Sequence, residues 1–238
     1  DANIYIGTGN TISMNRIKRL GFSFVVGFLL GGVITLLYPA GNILIGWLGT
    51  TLLISPSVYI LLTGWQWAGK STALGWMILL AFLLRLGFSI SLNLILPDWG
   101  YDNPHQSSGY LFRHSYHRDQ AAWALSQDET PLWAAFGEEF TSDQYGGLLS
   151  LSAAIYRYIS PDAHRPHLIY ILISFIGALS VPFFWKGING RWGERIANLA
   201  TGILVLYPEG IFYSVSQMRE PFMIAGGAIA FWAVLNWK

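Results

Sequence analysis

Long apolar runs dominate the pattern of hydrophobic and polar positions along the chain. A helix needs about 20 mostly apolar residues to cross the hydrocarbon core of a bilayer. Runs of this kind predict membrane-spanning helices at 21–38, 43–63, 74–97, 166–185, 196–214 and 221–237. Pro208 and Glu209 interrupt the fifth run, so we expect a broken or partly re-entrant helix there. The pattern therefore predicts an all-α, polytopic membrane protein of about six transmembrane helices.

A long polar segment, 98–165, separates the third run from the fourth. It holds nine of the 13 acidic residues and four of the five histidines. Long connections without a function are uncommon in compact domains. Helical patterns at 118–127 and 147–159 predict that the segment is itself largely helical, and the second pattern is apolar enough to lie in the membrane interface.

Basic residues between the apolar runs predict the orientation, because the cytoplasmic side of membrane proteins is enriched in Lys and Arg. They form four groups, which are Arg16, Lys18 and Arg19; Lys70; Lys186, Arg191 and Arg195; and Lys238. All four groups fall on one side if the N-terminus is cytoplasmic. We therefore expect a multi-pass protein of the cell membrane whose 98–165 loop is extracytoplasmic.

The composition excludes several classes of function. Charged residues make up 11% of the chain, compared with about 25% in an ordinary soluble domain, so we expect the lipid bilayer as a partner. A net charge of +1 argues against bulk electrostatic binding to nucleic acid. The chain has no cysteine, which excludes a disulfide framework and a thiolate zinc site.

Arg85 is a charged residue inside the third apolar run. A charge at the middle of the membrane costs roughly 2.5–3.5 kcal/mol on insertion scales. We therefore expect its side chain to face protein, water or an anionic group. A structural role, in which Arg85 pairs with a buried carboxylate or with helix-end carbonyls, is an equally good interpretation.

The stretch from Arg113 to Asp119 is dense in polar side chains. Asp119 opens a helical pattern, where a carboxylate can cap free N–H groups. The functional alternative makes Asp119 a general base and Arg118 a phosphate ligand. No cofactor is required by the pattern, but the spacing of His114, His117 and Asp119 would suit a divalent metal ion, with ordinary hydrogen bonds as the alternative.

Further charged residues are predicted on the same side of the membrane. Asp143 precedes two glycines, as in a turn or a helix cap. Pro221 and Glu220 suit the first turn of the sixth predicted helix, and Arg219 precedes them. Such acids and arginines could together hold a lipid phosphate and accept a proton from an attacking hydroxyl.

The order of these features resembles the GT-C glycosyltransferases, a superfamily that includes polyprenyl-phosphate mannose and aminoarabinose transferases. The resemblance covers about residues 74–238. It depends on FLLRLGF around Arg85, on RDQAAWALS and DQYGGLLSLSAAIYRYI in the loop, and on LYP followed by REP at 206–221. The usual Asp-Glu pair of the first loop is here Asp119-Gln120, which leaves the number of acids at the centre open.

The resemblance implies an enzyme that transfers a sugar from a polyprenyl-phosphate donor to a glycan, lipid or protein acceptor on the extracytoplasmic face. It implies that Asp119 is a catalytic base or metal ligand, with secondary acids and donor-phosphate ligands around it. The secondary acids are Asp143 and Glu220, and the donor-phosphate ligands are Arg85, Arg118 and Arg219.

The expected organisation is a cytoplasmic tail at 1–20, two additional transmembrane helices at 21–73, and a GT-C-like module at 74–238. The family's chains are longer, so we expect a missing C-terminal part and an inactive fragment. Two other functions stay open: a transporter or flippase of lipid-linked or polar solutes, and a non-catalytic membrane scaffold.

Overall fold

The computed structural model of the chain describes residues 6–137 and 146–237. Helices account for most of this part of the chain, and no β-strand occurs in it. In chain order the helices are α1 (Ile6–Leu37), α2 (Ile43–Ala68), α3 (Thr72–Trp99), α4 (Pro104–Ser107), α5 (Arg113–Gln127), α6 (Gly147–Ile159), α7 (His167–Leu206), α8 (Pro208–Phe212) and α9 (Glu220–Leu235). A 3₁₀ turn at Leu132–Phe136 lies between α5 and α6. The prediction of an all-α protein is confirmed for the described residues.

Four helices are long and apolar enough to cross a membrane: the Arg16–Leu37 part of α1, and α2, α3 and α7. The apolar helix α9 is shorter, at 16 residues. These helices agree with a multi-pass membrane protein. The first predicted helix starts within the predicted tail, because α1 already begins at Ile6.

Helix α7 contains a sharp reversal at Gly193, whose backbone has φ 81° and ψ 170°. Trp185 Nε1 donates a hydrogen bond of 2.7 Å to Asn198 Oδ1, thirteen residues further along. Thirteen residues of straight helix rise about 20 Å, so this bond requires the chain to fold back. The two arms of α7 overlap the fourth and fifth predicted helices, 166–185 and 196–214, and the second arm ends at Leu206, before Pro208 starts the short helix α8.

The two ends of the helix bundle differ in chemistry. One end, called the basic end, collects the basic groups near residues 16–19, 70 and 186–195. Hydrogen bonds link these groups to the helix ends beside them. Arg19 donates to Thr63 Oγ1 at 3.1 Å, and Lys186 donates to the Trp67 carbonyl at 2.6 Å. The opposite end, called the polar end, carries the described part of 98–165 and the 213–219 segment. One contact that holds the first of these there is the hydrogen bond from the Asn93 side chain, near the end of α3, to the Gly109 carbonyl.

Helices α1 and α2 form a close pair through small residues. A Cβ atom added to Gly27 would lie 2.9 Å from the backbone nitrogen of Ser55, and one added to Gly31 would lie 3.1 Å from that of Thr51. Small residues allow helices in membranes to approach closely. Both α3 and α9 pack mainly on α7, which is the most buried of the candidate spans.

Replacement of Gly27 with Ala should destabilise the α1–α2 pair. The added methyl meets backbone, which cannot rotate away, and such overpacking costs about 1–3 kcal/mol. Gly21→Ala is the matched control, because nothing lies within 4 Å of its added Cβ. We expect the melting temperature in detergent, measured by tryptophan fluorescence, to be lower for Gly27→Ala than for wild type. The control should melt at the wild-type temperature. Equal melting temperatures would contradict the close pairing.

Candidate functional site

The carboxylate of Asp119 lies at the centre of the polar end and is fully buried. Its Oδ1 accepts hydrogen bonds from the Tyr156 hydroxyl and the Gln217 side-chain amide, and its Oδ2 accepts one from the Tyr110 hydroxyl. The imidazole Nε2 of His164 lies 2.7 Å from Oδ2. A buried carboxylate needs such partners, because leaving it unpaired in a low-dielectric interior is costly.

The interpretation of Asp119 as a helix cap is wrong. Helix α5 begins at Arg113, and Phe112 holds the N-cap position, so Asp119 lies in the second turn of the helix. The helix thus begins five residues before the helical pattern that was predicted to start at 118. From its position inside α5, the side chain points into the core that α5 forms with α6 and the first residues of α7.

Four separate segments meet at this carboxylate. Tyr110 precedes α5, Tyr156 lies in α6, His164 precedes α7, and Gln217 precedes α9. Burial, and then the charge of Asp119, raise the pKa values of the Tyr110 and Tyr156 hydroxyls well above their usual range. Both hydroxyls therefore stay protonated at physiological pH and act as donors to Asp119.

The imidazole of His164 is packed between two aromatic rings. It stacks on Trp123 with ring centroids 5.2 Å apart and meets the edge of Tyr156 at 5.0 Å. Its side chain is 23% exposed, whereas that of Asp119 is not exposed. His164 also lines a cavity of about 250 Å³ formed by Leu37–Ala40 and His164–His167, which we call the His164 cavity.

A buried arginine fixes the turn that carries His164. Arg165 donates to Asp162 Oδ1 at 2.6 Å and to the carbonyls of Ala40 and Asn42 at 2.6 and 2.8 Å. Asp162 in turn accepts from the Asn42 N–H at 2.7 Å. The hydrogen bonds from Arg165 lower the pKa of Asp162 to about 2. This pair ties the α1–α2 turn to the polar end.

Arg118 contacts Gln217, which is one of the partners of Asp119. Its side chain is buried and donates to the backbone carbonyl of Gln217. The amide of Gln217 is further held by Ser152, whose hydroxyl lies 3.3 Å from its Oε1. Arg118 and Asp119 therefore hold the backbone and the side chain of one residue in the 213–219 segment.

Arg85 is buried deeper in the bundle and is 1% exposed. Its Nη1 donates to the Ala81 carbonyl at 3.0 Å, which lies inside α3 and is not a helix-end carbonyl as the structural interpretation expected. Within the described residues, no carboxylate pairs with it and its Nε has no hydrogen-bond partner. One turn further along α3, Ser89 bonds the Ser214 carbonyl at 3.1 Å, so Arg85 lies below the segment that carries Gln217.

The remaining predicted acids and arginines are distributed around this centre. Arg219 holds the N-cap position of α9 and is exposed, and Glu220 and Pro221 form its first turn, as predicted from the sequence. One oxygen of Glu220 is buried without a hydrogen-bond partner among the described residues. Glu220 follows Gln217 by three residues, yet it is not among the described partners of Asp119. Asp143 lies outside the described residues.

His114 and His117 lie on the exposed side of α5, whereas Asp119 is buried. His117 Nε2 is 3.3 Å from Arg113 Nε, and both line a second cavity with His105 and Tyr116. In the described parts of the chain, no three His, Asp or Glu side chains are grouped as a metal site would require. The metal site stays a prediction.

Comparison of the chain with protein-family models, curated proteins and solved structures finds no significant match. The site is therefore interpreted from its own geometry. Arg118 and Asp119 were predicted from the sequence as site residues, whereas the partners of Asp119 were not. These partners are Tyr110, Tyr156, His164 and Gln217. No motif marked them, because they lie between nine and 98 residues away from Asp119 along the chain.

The Asp162–Arg165 pair should make stability depend on pH. Because the folded pKa of Asp162 is lowered from 3.8 to about 2, its contribution is complete above about pH 4 and is lost as the pH falls toward 2. We expect Asp162→Asn to melt below wild type at neutral pH, with the difference shrinking as the pH falls. Asp102→Asn, at an exposed position, is the control. A pH-independent difference would contradict this role.

Proposed function

We propose that this chain is part of a membrane glycosyltransferase that transfers a sugar from a polyprenyl-phosphate donor to an acceptor hydroxyl. The observation that carries the proposal is the buried Asp119 centre, joined to Arg118 through Gln217, at the end of a membrane bundle opposite the basic end. The positive-inside tendency then favours an extracytoplasmic position for the polar end.

The position of the centre suits a donor with a lipid tail. Aromatic side chains at the polar end are highly exposed, among them Trp99 at 87%, Tyr101 at 82% and Trp133 at 75%. Trp and Tyr are enriched at the level of lipid headgroups. A polyprenyl phosphate would place its tail among the helices and its sugar at this level, beside the Asp119 centre.

The chemistry that this centre could support is a direct displacement. The acceptor oxygen forms a bond to the anomeric carbon, and the bond from that carbon to the phosphate oxygen breaks, with its electron pair leaving on the phosphate. The acceptor proton is taken up at the Asp119 centre. Arg118 and Arg219, with Arg85 deeper in the bundle, would offset the charge that grows on the phosphate.

A transporter of lipid-linked or polar solutes is the second candidate. Transporters commonly bind their substrates where a membrane helix is interrupted. Here the chain is interrupted between α7 and α8, and a Cβ atom on Gly210 of α8 would lie 3.7 Å from Arg85 Nη2. This reading predicts solute movement across the membrane without a new glycosidic bond.

Sugar transfer by the full-length protein in membrane vesicles tests the proposal. The donors are radiolabelled polyprenyl-phosphate mannose and polyprenyl-phosphate aminoarabinose, and the readout is label in a glycan, lipid or protein product. Asp119→Asn should reduce transfer by roughly 100-fold or more, because it removes the carboxylate from the proton-accepting centre. Asp128→Asn, the same change at the exposed end of α5, should transfer normally.

The melting temperatures of both variants check that the fold is kept. Equal transfer by Asp119→Asn and wild type would show that Asp119 has only a structural role. Absence of transfer in wild type with both donors, together with movement of label across the membrane, would favour the transporter.

A further inference from the structure

Burial prevents direct contact between Asp119 and a substrate. The carboxylate is 0% exposed, and three of its four described partners are nearly as inaccessible: Tyr110 is 2% exposed, and Tyr156 and Gln217 are 0% exposed. An acceptor hydroxyl could reach Asp119 only after one of these partners had left. His164 is the exception, because it touches Asp119 and is 23% exposed at its side chain.

The His164 cavity gives this imidazole a space in which a ligand could bind. Its volume of about 250 Å³ is close to the lower end of small-molecule sites, roughly 300 Å³. Tyr38 and His167 also line it, and their rings stack with centroids 4.8 Å apart. A cavity that combines an aromatic pair with polar groups suits a sugar ring or another polyhydroxy compound, which presents C–H faces and hydroxyls together.

The contact with Asp119 defines which nitrogen of His164 can accept a proton. His164 Nε2 is buried and lies 2.7 Å from Asp119 Oδ2, without an aligned hydrogen bond among the described residues. Because a carboxylate offers only acceptor atoms, we assign the hydrogen of the neutral imidazole to Nε2. The lone pair of a neutral imidazole then resides on Nδ1. A buried aspartate that fixes the tautomer and orientation of a histidine leaves that histidine able to act as a base toward a substrate hydroxyl.

We propose that His164 is the catalytic residue that contacts the acceptor hydroxyl in the His164 cavity, and that Asp119 is a positioning residue that acts through it. This inference rests on the proposed sugar transfer. As the acceptor oxygen bonds to the anomeric carbon, its proton moves to His164 Nδ1, and the electron pair of the broken carbon–oxygen bond leaves on the polyprenyl phosphate. The proton is afterwards released from the imidazole to water.

The test is chemical rescue in the same vesicle assay, with polyprenyl-phosphate mannose and polyprenyl-phosphate aminoarabinose as donors. His164→Gly should lose transfer by roughly 100-fold or more, and added imidazole should restore part of it by occupying the vacated space. His164→Gln keeps a side chain that can bond to Asp119 but cannot accept a proton, so it should fold and stay inactive. The Asp119→Asn variant should gain no transfer from added imidazole, because it still carries the side chain of His164.

The outcomes separate the inference from the function on which it rests. Transfer in wild type with near-normal transfer in His164→Gln would overturn the role of His164 and leave the transferase intact. Loss of transfer in His164→Gly without rescue, in a variant with the wild-type melting temperature, would reduce His164 to a structural residue and overturn the inference as well. Absence of transfer in wild type with both donors, together with movement of label across the membrane, would overturn the transferase itself, and the inference with it.

Discussion

The burial of one negative charge governs the polar end of this protein. Removing a carboxylate from water is so unfavourable that it must be offset by several donors. Asp119 obtains them from residues before α5, in α6 and before α9, and it also touches the imidazole before α7. A single side chain thus fixes the relative positions of four segments that are distant along the chain, and the site and its cavity depend on this arrangement.

The membrane explains why the site is built in this way. Apolar helices supply few polar contacts to hold loops in place, so the outer segments are held by a small number of buried polar pairs. The Asp162–Arg165 pair attaches the α1–α2 turn to the turn that carries His164, and Asn93 attaches α3 to the segment that carries Tyr110. A polar layer above an apolar bundle would suit the proposed transfer, in which a lipid-linked donor has to reach an acceptor hydroxyl.

Local patterns predicted several of the helices but not the site. The sequence predicted α6 at 147–159 with its observed bounds, and it predicted the interruption at Pro208. Hydrophobic periodicity and proline are local signals, which is why these predictions succeeded. The sequence predicts a longer connection, 186–195, where the structure has a tight reversal at Gly193. The positive φ of one glycine produces no hydrophobic pattern from which such a reversal could be predicted. Asp119 was found, but its burial and its contact with His164 are properties of tertiary packing.

The position of the donor phosphate distinguishes a binding site at the polar end from one at the basic end. A polyprenyl phosphate with a photoreactive diazirine in its first isoprene unit would be irradiated with the full-length protein in vesicles, and the labelled peptides identified by mass spectrometry. Binding of the donor at the Asp119 centre predicts labelling at the polar end, in peptides that contain 110–119, 160–167 or 213–220. Labelling confined to the basic end, at 64–71 or 186–195, would contradict it.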